Sequence, residues 1–192
     1  MLKRALLCAM LALPLAGCVS FGAEPPDQLL TLTPARAVPA GFATTGPASA
    51  ALAVLEPGVA QRLDVTRVPV QTSDSSLAYL KDAVWVEKPA RLFQNLVAET
   101  IRASGNRLVV REGDLGGNSV TTLSGRLFDM GYDVATGSVV VGYDAVLQLP
   151  DGQVRTRRFE SRVPAAAEAA AVAPALNQAA NDVANQVAEW VG

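Results

Sequence analysis

Alternation of apolar and polar residues is cleanest between positions 138 and 149. There Val139, Val141, Tyr143, Ala145, Leu147 and Leu149 fall on one face of an extended chain. Pro150-Asp151-Gly152 follows as a turn, proline setting φ and glycine permitting a positive one. A third strand then runs over about 153–163, and an earlier one lies within 120–134, so the three read as a meander. Helical spacing occurs twice. Over 89–103, Leu92, Phe93, Leu96, Val97, Thr100 and Ile101 share a face, Pro89 suits the first turn, and Ser104-Gly105-Asn106 ends the helix. From about 165 to 190 an alanine-rich stretch carries a stripe of Val172, Leu176, Ala180, Val183, Val187 and Trp190, with Pro174 marking a kink or the true start.

Upstream, "ALAVLEP" (51–57) suits a buried strand. "DVTRVPVQTSD" alternates around Val65, Val68 and Val70, with Pro69 pushing it to an edge or an irregular strand. "SLAYLKDAVWVE" (76–87) and "RLVVRE" (107–112) are further strands, followed by the turn-rich "GDLGGNS", and "LLTLT" (29–33) is a short strand candidate ahead of a Pro/Gly/Ala/Thr loop without periodicity. No repeat is present. The sum predicts a single α+β domain over 29–192, an antiparallel sheet with two main helices packed on one face.

The N-terminus follows another logic. Lys3 and Arg4 precede an apolar stretch, Ala5 to Ala16, of the length of a secretory h-region and too short for the ~20 residues of a spanning helix. It ends in Leu15-Ala16-Gly17-Cys18, which closely resembles the bacterial lipobox, whose cysteine becomes the acylated N-terminus. The expectation is a cleaved signal peptide over 1–17, lipidation at Cys18, and a flexible tether over 18–28 stiffened by Pro25-Pro26. Each buried CH₂ of the acyl chains contributes ~0.8 kcal/mol, so two or three chains hold stably. Val19, in place of aspartate, points by resemblance to Gram-negative lipoproteins to the outer membrane.

Lipobox, tether, "LLTLTP", "ALAVLEP", "RLDVTRVPVQ", "AVWVEKPARLFQNLVAETI" and the alanine-rich final helix stand in the order of the ABC-type transport auxiliary lipoproteins, the PqiC-like group. The chain resembles that family over essentially its whole mature length. The most specific parts are Arg62 and Arg67, four residues between them, and Trp85 just ahead of Glu87-Lys88-Pro89; where the family often carries a tyrosine, this chain has Leu29-Leu30. The resemblance implies a non-enzymatic envelope component that accompanies an MCE-type lipid transport system and docks its periplasmic part at the outer membrane.

Composition narrows the chemistry further. The chain has no histidine, so Ser-His-Asp and Cys-His catalysis and the usual His-containing zinc sites are excluded. Neither Lys81 nor Lys88 sits in a P-loop, and no cofactor fingerprint occurs. A net charge of −2 offers nothing to nucleic acid. Cys8 falls in the signal and Cys18 in the lipobox, which leaves no disulfide for the mature domain. No catalytic, cofactor or metal residue is assigned. Glu56, Asp64, Glu99 and Glu112 could serve a hydrolase, but solvated charges at element ends is the preferred reading. Candidate partner or lipid contacts are Arg155, Arg157, Arg158 and Arg162 on the last strand, set against edge-strand protection, and Trp85, set against a place in the core. Self-association stays open, as does a structural or envelope-assembly lipoprotein with no transport role.

Overall fold

The computed structural model describes residues 28–105, 107–110 and 120–192. The predicted signal peptide, Cys18, the tether as far as Asp27, Glu112 and the "GDLGGNS" turn lie outside the described residues. Within them the chain forms β1 (Ala51–Val54), β2 (Gly58–Val59), β3 (Arg67–Ser73), β4 (Ser76–Val84), α1 (Pro89–Ser104), β5 (Leu108–Val110), β6 (Thr121–Asp133), β7 (Ser138–Gln148), β8 (Val154–Pro164) and α2 (Ala169–Val191). The class is α+β with two principal helices.

The sheet is mixed rather than wholly antiparallel. The meander β6–β7–β8 is antiparallel throughout, with β7 and β8 in unbroken register from Ser138↔Pro164 to Gln148↔Val154. On its other side β6 takes three parallel neighbours in succession: β1 at Thr121–Leu123, β2 at Arg126–Leu127 and β3 at Tyr132–Asp133. β5 lies outside β1, also parallel, and β4 lies outside β3, antiparallel. Alternation reports which face is buried and not which way a neighbour runs. β1, buried at all four residues between two parallel partners, gives no alternation at all. β3 is therefore interior and not an edge. Its Pro69 is accommodated by a register shift between Arg67 and Pro69 and by Gly131 opposite, where an added Cβ would stand 2.5 Å from the Pro69 carbonyl oxygen.

β6 changes face part-way along. Leu123 and Leu127 point to the helices, and so do Met130 and Tyr132, because the pairing steps from Leu127↔Tyr143 to Asp129↔Gly142 and leaves Phe128 as an extra residue. A one-residue bulge shifts the period-two pattern to the opposite parity. Upstream of it, Gly125 has φ of 151° and approaches β7 so closely that a Cβ would meet the Asp144 carbonyl oxygen at 2.0 Å. Tyr143 leans over that glycine and donates its hydroxyl to the Ser124 carbonyl at 2.7 Å; burial raises its pKa.

Both helices cover one face of the sheet. The α1 stripe Leu92, Phe93, Leu96, Val97, Thr100 and Ile101 is buried in full, Phe93 meeting Tyr143 edge-on at 5.2 Å. In α2, Val172, Leu176, Ala180, Val183 and Val187 are buried, and Trp190 is half-buried at the end. Pro174 lies inside this helix, after its start at Ala169. Residue 107, just beyond α1, donates from its guanidinium to the carbonyls of Val191 and Gly192 at the end of α2, so the two helices run in the same direction.

The segment that should connect to the tether is a strap rather than a strand. Leu30 makes a single parallel bridge to Trp85, its N–H donating to Val84 O at 2.7 Å and its carbonyl accepting from Val86 N at 2.8 Å. The chain then crosses the helices. Thr33 N–H donates to Asn177 Oδ1, Ala35 N–H to Asn181 Oδ1, and Val38 N–H to Glu99 Oε1, at 2.7–2.8 Å. Asn181 also donates to Thr33 O at 2.9 Å. Side-chain amides thus satisfy backbone groups that no sheet neighbour reaches.

Candidate functional site

The four arginines of β8 do not form one patch. Strand alternation sends them to opposite faces. Arg155 and Arg157 stand opposite Leu147 and Ala145, on the face that α2 covers; Arg158 stands opposite Asp144 and Arg162 opposite Val140, on the other. Arg155 lies over the Trp190 ring at 5.3 Å and Arg157 over Phe159 at 5.1 Å, while Trp190 and Phe159 meet edge-on at 5.7 Å. The result is a rail of alternating cations and rings at the end of α2. Among the described residues neither arginine is in an ion pair, and both are exposed.

Arg158 and Arg162 are occupied. Arg158 forks onto Asp144 through two bonds of 2.6 and 2.7 Å and lies over the Phe128 ring at 4.6 Å. Its hydrogen bonds hold the Asp144 carboxyl below the usual carboxylate range. The Phe128 ring itself rests on Gly142, where a Cβ would meet it at 2.2 Å. Arg162 pairs with Glu160 at 2.8 Å and Asp133 at 3.7 Å.

Trp85 is 2% exposed and belongs to the core; its indole nitrogen has no hydrogen-bond partner among the described residues. It offers no surface to a partner. The two arginines of the family pattern prove architectural. Arg62 donates to the Phe128 carbonyl at 2.7 Å and lies 3.4 Å from Asp129, so it pins the β6 bulge, while Arg67 lies over Tyr79 at 4.0 Å. Burial pushes the Asp129 carboxyl up, against the pull of Arg62. Arg62, Asp129, Asp133 and Arg162 close around a cleft of only about 70 Å³.

Two of the carboxylates considered for hydrolysis, Asp64 and Glu99, have other employment. Asp64 pairs with Lys88 at 2.8 Å, and Glu99 takes Arg102 on one oxygen at 2.6 Å and the strap's Val38 N–H on the other at 2.8 Å. Glu56 is exposed and shares with Glu99 an open groove of about 710 Å³ between α1, the strap and β1. No group of three or more His, Cys, Asp or Glu side chains placed to hold a metal ion occurs among the described residues. No described helix is long and apolar enough to cross a membrane.

Sequence reasoning missed Asn177 and Asn181, whose one available signal was the recurrence of asparagine every four residues, at 177, 181 and 185, along an alanine-rich helix. A family model described as the ABC-type transport auxiliary lipoprotein component matches residues 30–188, through strap, sheet and both helices. The chain belongs to that family. A search of curated proteins finds no match. Among solved structures, a Xanthomonas campestris protein assigned to the DUF330 family shares 22% identity at a TM-score of 0.66, over 86% of this chain and 92% of its own. An uncharacterized protein of known crystal structure shares 16% identity at a TM-score of 0.65, over 86% of this chain and 100% of its own. A PelC dodecamer from Paraburkholderia phytofirmans shares 20% identity over 75% of this chain and 92% of its own, at a TM-score of 0.41. As an auxiliary lipoprotein of ABC-type transport, the chain works in the cell envelope beside a transporter.

Proposed function

We propose that this lipoprotein is a non-enzymatic accessory of an ABC/MCE-type lipid transport system. Acyl chains on Cys18 hold it at the periplasmic face of the outer membrane, where it docks the periplasmic transport machinery. The observation that carries the reading is the strap: the tether side of the chain is fixed at Leu30 beside the start of α1, and the arginine–aromatic rail lies at the far end of α2. A domain held at one pole by its tether leaves the other pole to a partner. Confinement of both to one thin compartment raises their effective concentration, so weak docking suffices. Val19 supports the outer rather than the inner membrane.

Affinity capture of the acylated protein from gently solubilised envelopes, followed by mass spectrometry, tests this. Recovery of an MCE protein supports it. Recovery of cell-wall assembly proteins in its place favours the structural alternative. Cys18→Ala should move the protein to the soluble fraction, and an unmodified N-terminus on the wild-type protein would remove the anchor from the account.

A further inference from the structure

Four strands, β2, β4, β5 and β8, have an outer edge among the described residues, and they are not alike; β2 is two residues long. β4 is interrupted: Asp82 sits at φ of 57°, and the register against β3 shifts twice. Such irregularity is how sheets discourage an added strand. β5 is three residues long. β8 is eleven residues long, without a register shift, and among the described residues it pairs only with β7. Apart from Pro164 at its very end, its deterrent is charge, and that charge is one-sided: Arg155, Arg157, Arg158 and Arg162 against Glu160. A second β8 brought alongside would meet the same excess of positive charge, which disfavours pairing of two copies through this edge. An acidic strand would meet the opposite. Arg155 and Arg157 are also already ordered, their guanidiniums resting on Trp190 and Phe159 with no carboxylate taken up among the described residues, so less rotamer entropy is lost when one arrives.

We infer that β8 is a docking edge that receives an extended, acidic segment of a partner protein as an added strand. Main-chain hydrogen bonds along β8 supply affinity, and the Arg155–Trp190–Phe159–Arg157 rail supplies selection for negative charge. The inference rests on the docking role proposed above and names its surface and the chemistry of its partner.

The test uses the mature chain and a fluorescein-labelled ten-residue peptide of alternating Glu and Val. Two comparison peptides carry Lys in place of Glu, or the same Glu/Val sequence N-methylated at alternate residues. The Glu/Val peptide should bind by fluorescence anisotropy and slow amide hydrogen exchange within residues 154–164, and both comparison peptides should fail. R155E/R157E should weaken binding by about ten-fold or more, whereas R155K/R157K, which keeps the charge, should bind close to wild type. Equal binding of the N-methylated peptide, or unchanged exchange in β8, overturns the inference. So does protection of β8 by self-association without peptide, or by phosphatidylglycerol vesicles in preference to the peptide. Capture of an MCE protein by R155E/R157E as efficiently as by wild type would overturn the docking edge and leave the transport role standing; capture by neither protein would count against the role itself.

Discussion

Asn181 and Thr33 are 148 residues apart in the chain and joined by a hydrogen bond of 2.9 Å, from the side-chain amide on α2 to the backbone carbonyl of the strap. The same amide accepts from Ala35 N–H at 2.7 Å and donates to Asn177 O at 2.8 Å. A buried side chain thereby acts as a strand neighbour for a segment that has none.

Asn181→Ala should free the strap at a cost of about 1–3 kcal/mol, because it leaves backbone groups without partners. Limited proteolysis should then cut within residues 31–47 before the sheet or helices are touched. Asn181→Asp should be worse at neutral pH than at acidic pH, since an ionised carboxylate would face the Thr33 and Asn177 carbonyls.

Arg62→Ala should cost about 1–3 kcal/mol in urea denaturation, leaving the Phe128 carbonyl without its donor and Asp129 without its counter-charge. Arg62→Lys should recover only part of this, because the shorter, more strongly hydrated ammonium must reach both the Phe128 carbonyl and Asp129, which the Arg62 Nη2 meets together. Amide exchange should quicken around residues 127–130 first.

Asp129 and Asp144 should tilt the pH dependence of stability in opposite directions. Burial raises the pKa of Asp129, so the native state binds that proton more tightly than the unfolded chain, and its contribution falls as pH rises above the usual 3.8. The hydrogen bond from Arg158 lowers that of Asp144, whose contribution is present above 3.8 and is lost as pH falls through the depressed value. Measured from about pH 3 to pH 7 by urea midpoint, Asp129→Asn should gain on wild type with rising pH and Asp144→Asn should lose.

The two tryptophans should report different surroundings. With Trp190 replaced by Phe, the emission of Trp85 should be blue-shifted and resist iodide, as its 2% exposure requires. With Trp85 replaced by Phe, Trp190 should be quenched, and iodide should outperform caesium because Arg155 stands 5.3 Å from the ring.

What the sequence made legible follows from where one side chain has one environment. α1 puts a single face into the core, and its periodicity named the buried residues correctly. In β7 the named face is buried from Val139 to Leu147, but Leu149 is only half-buried and Val140 on the opposite face is buried as well. β6 defeats the same method at Phe128, where the bulge shifts the parity, so Leu127 and Met130 share a face three residues apart. β1 shows no alternation because both faces and both edges are covered. The strap has no period, since its partners are the amides of Asn177 and Asn181 and the carboxylate of Glu99. The crowding of arginines in β8 was plain in the sequence, and their division between two faces follows from strand alternation, but which face α2 covers emerged only with the register against β7.

The strap has a mechanical consequence. Tension on the chain ahead of Gln28 reaches the domain first at Leu30, then at Thr33, Ala35 and Val38, each fastened by one or two bonds, with Asn181 holding both Thr33 and Ala35. These fastenings take the load in turn, so a tug on the leash is absorbed by stepwise peeling while the eight strands and both helices stay intact.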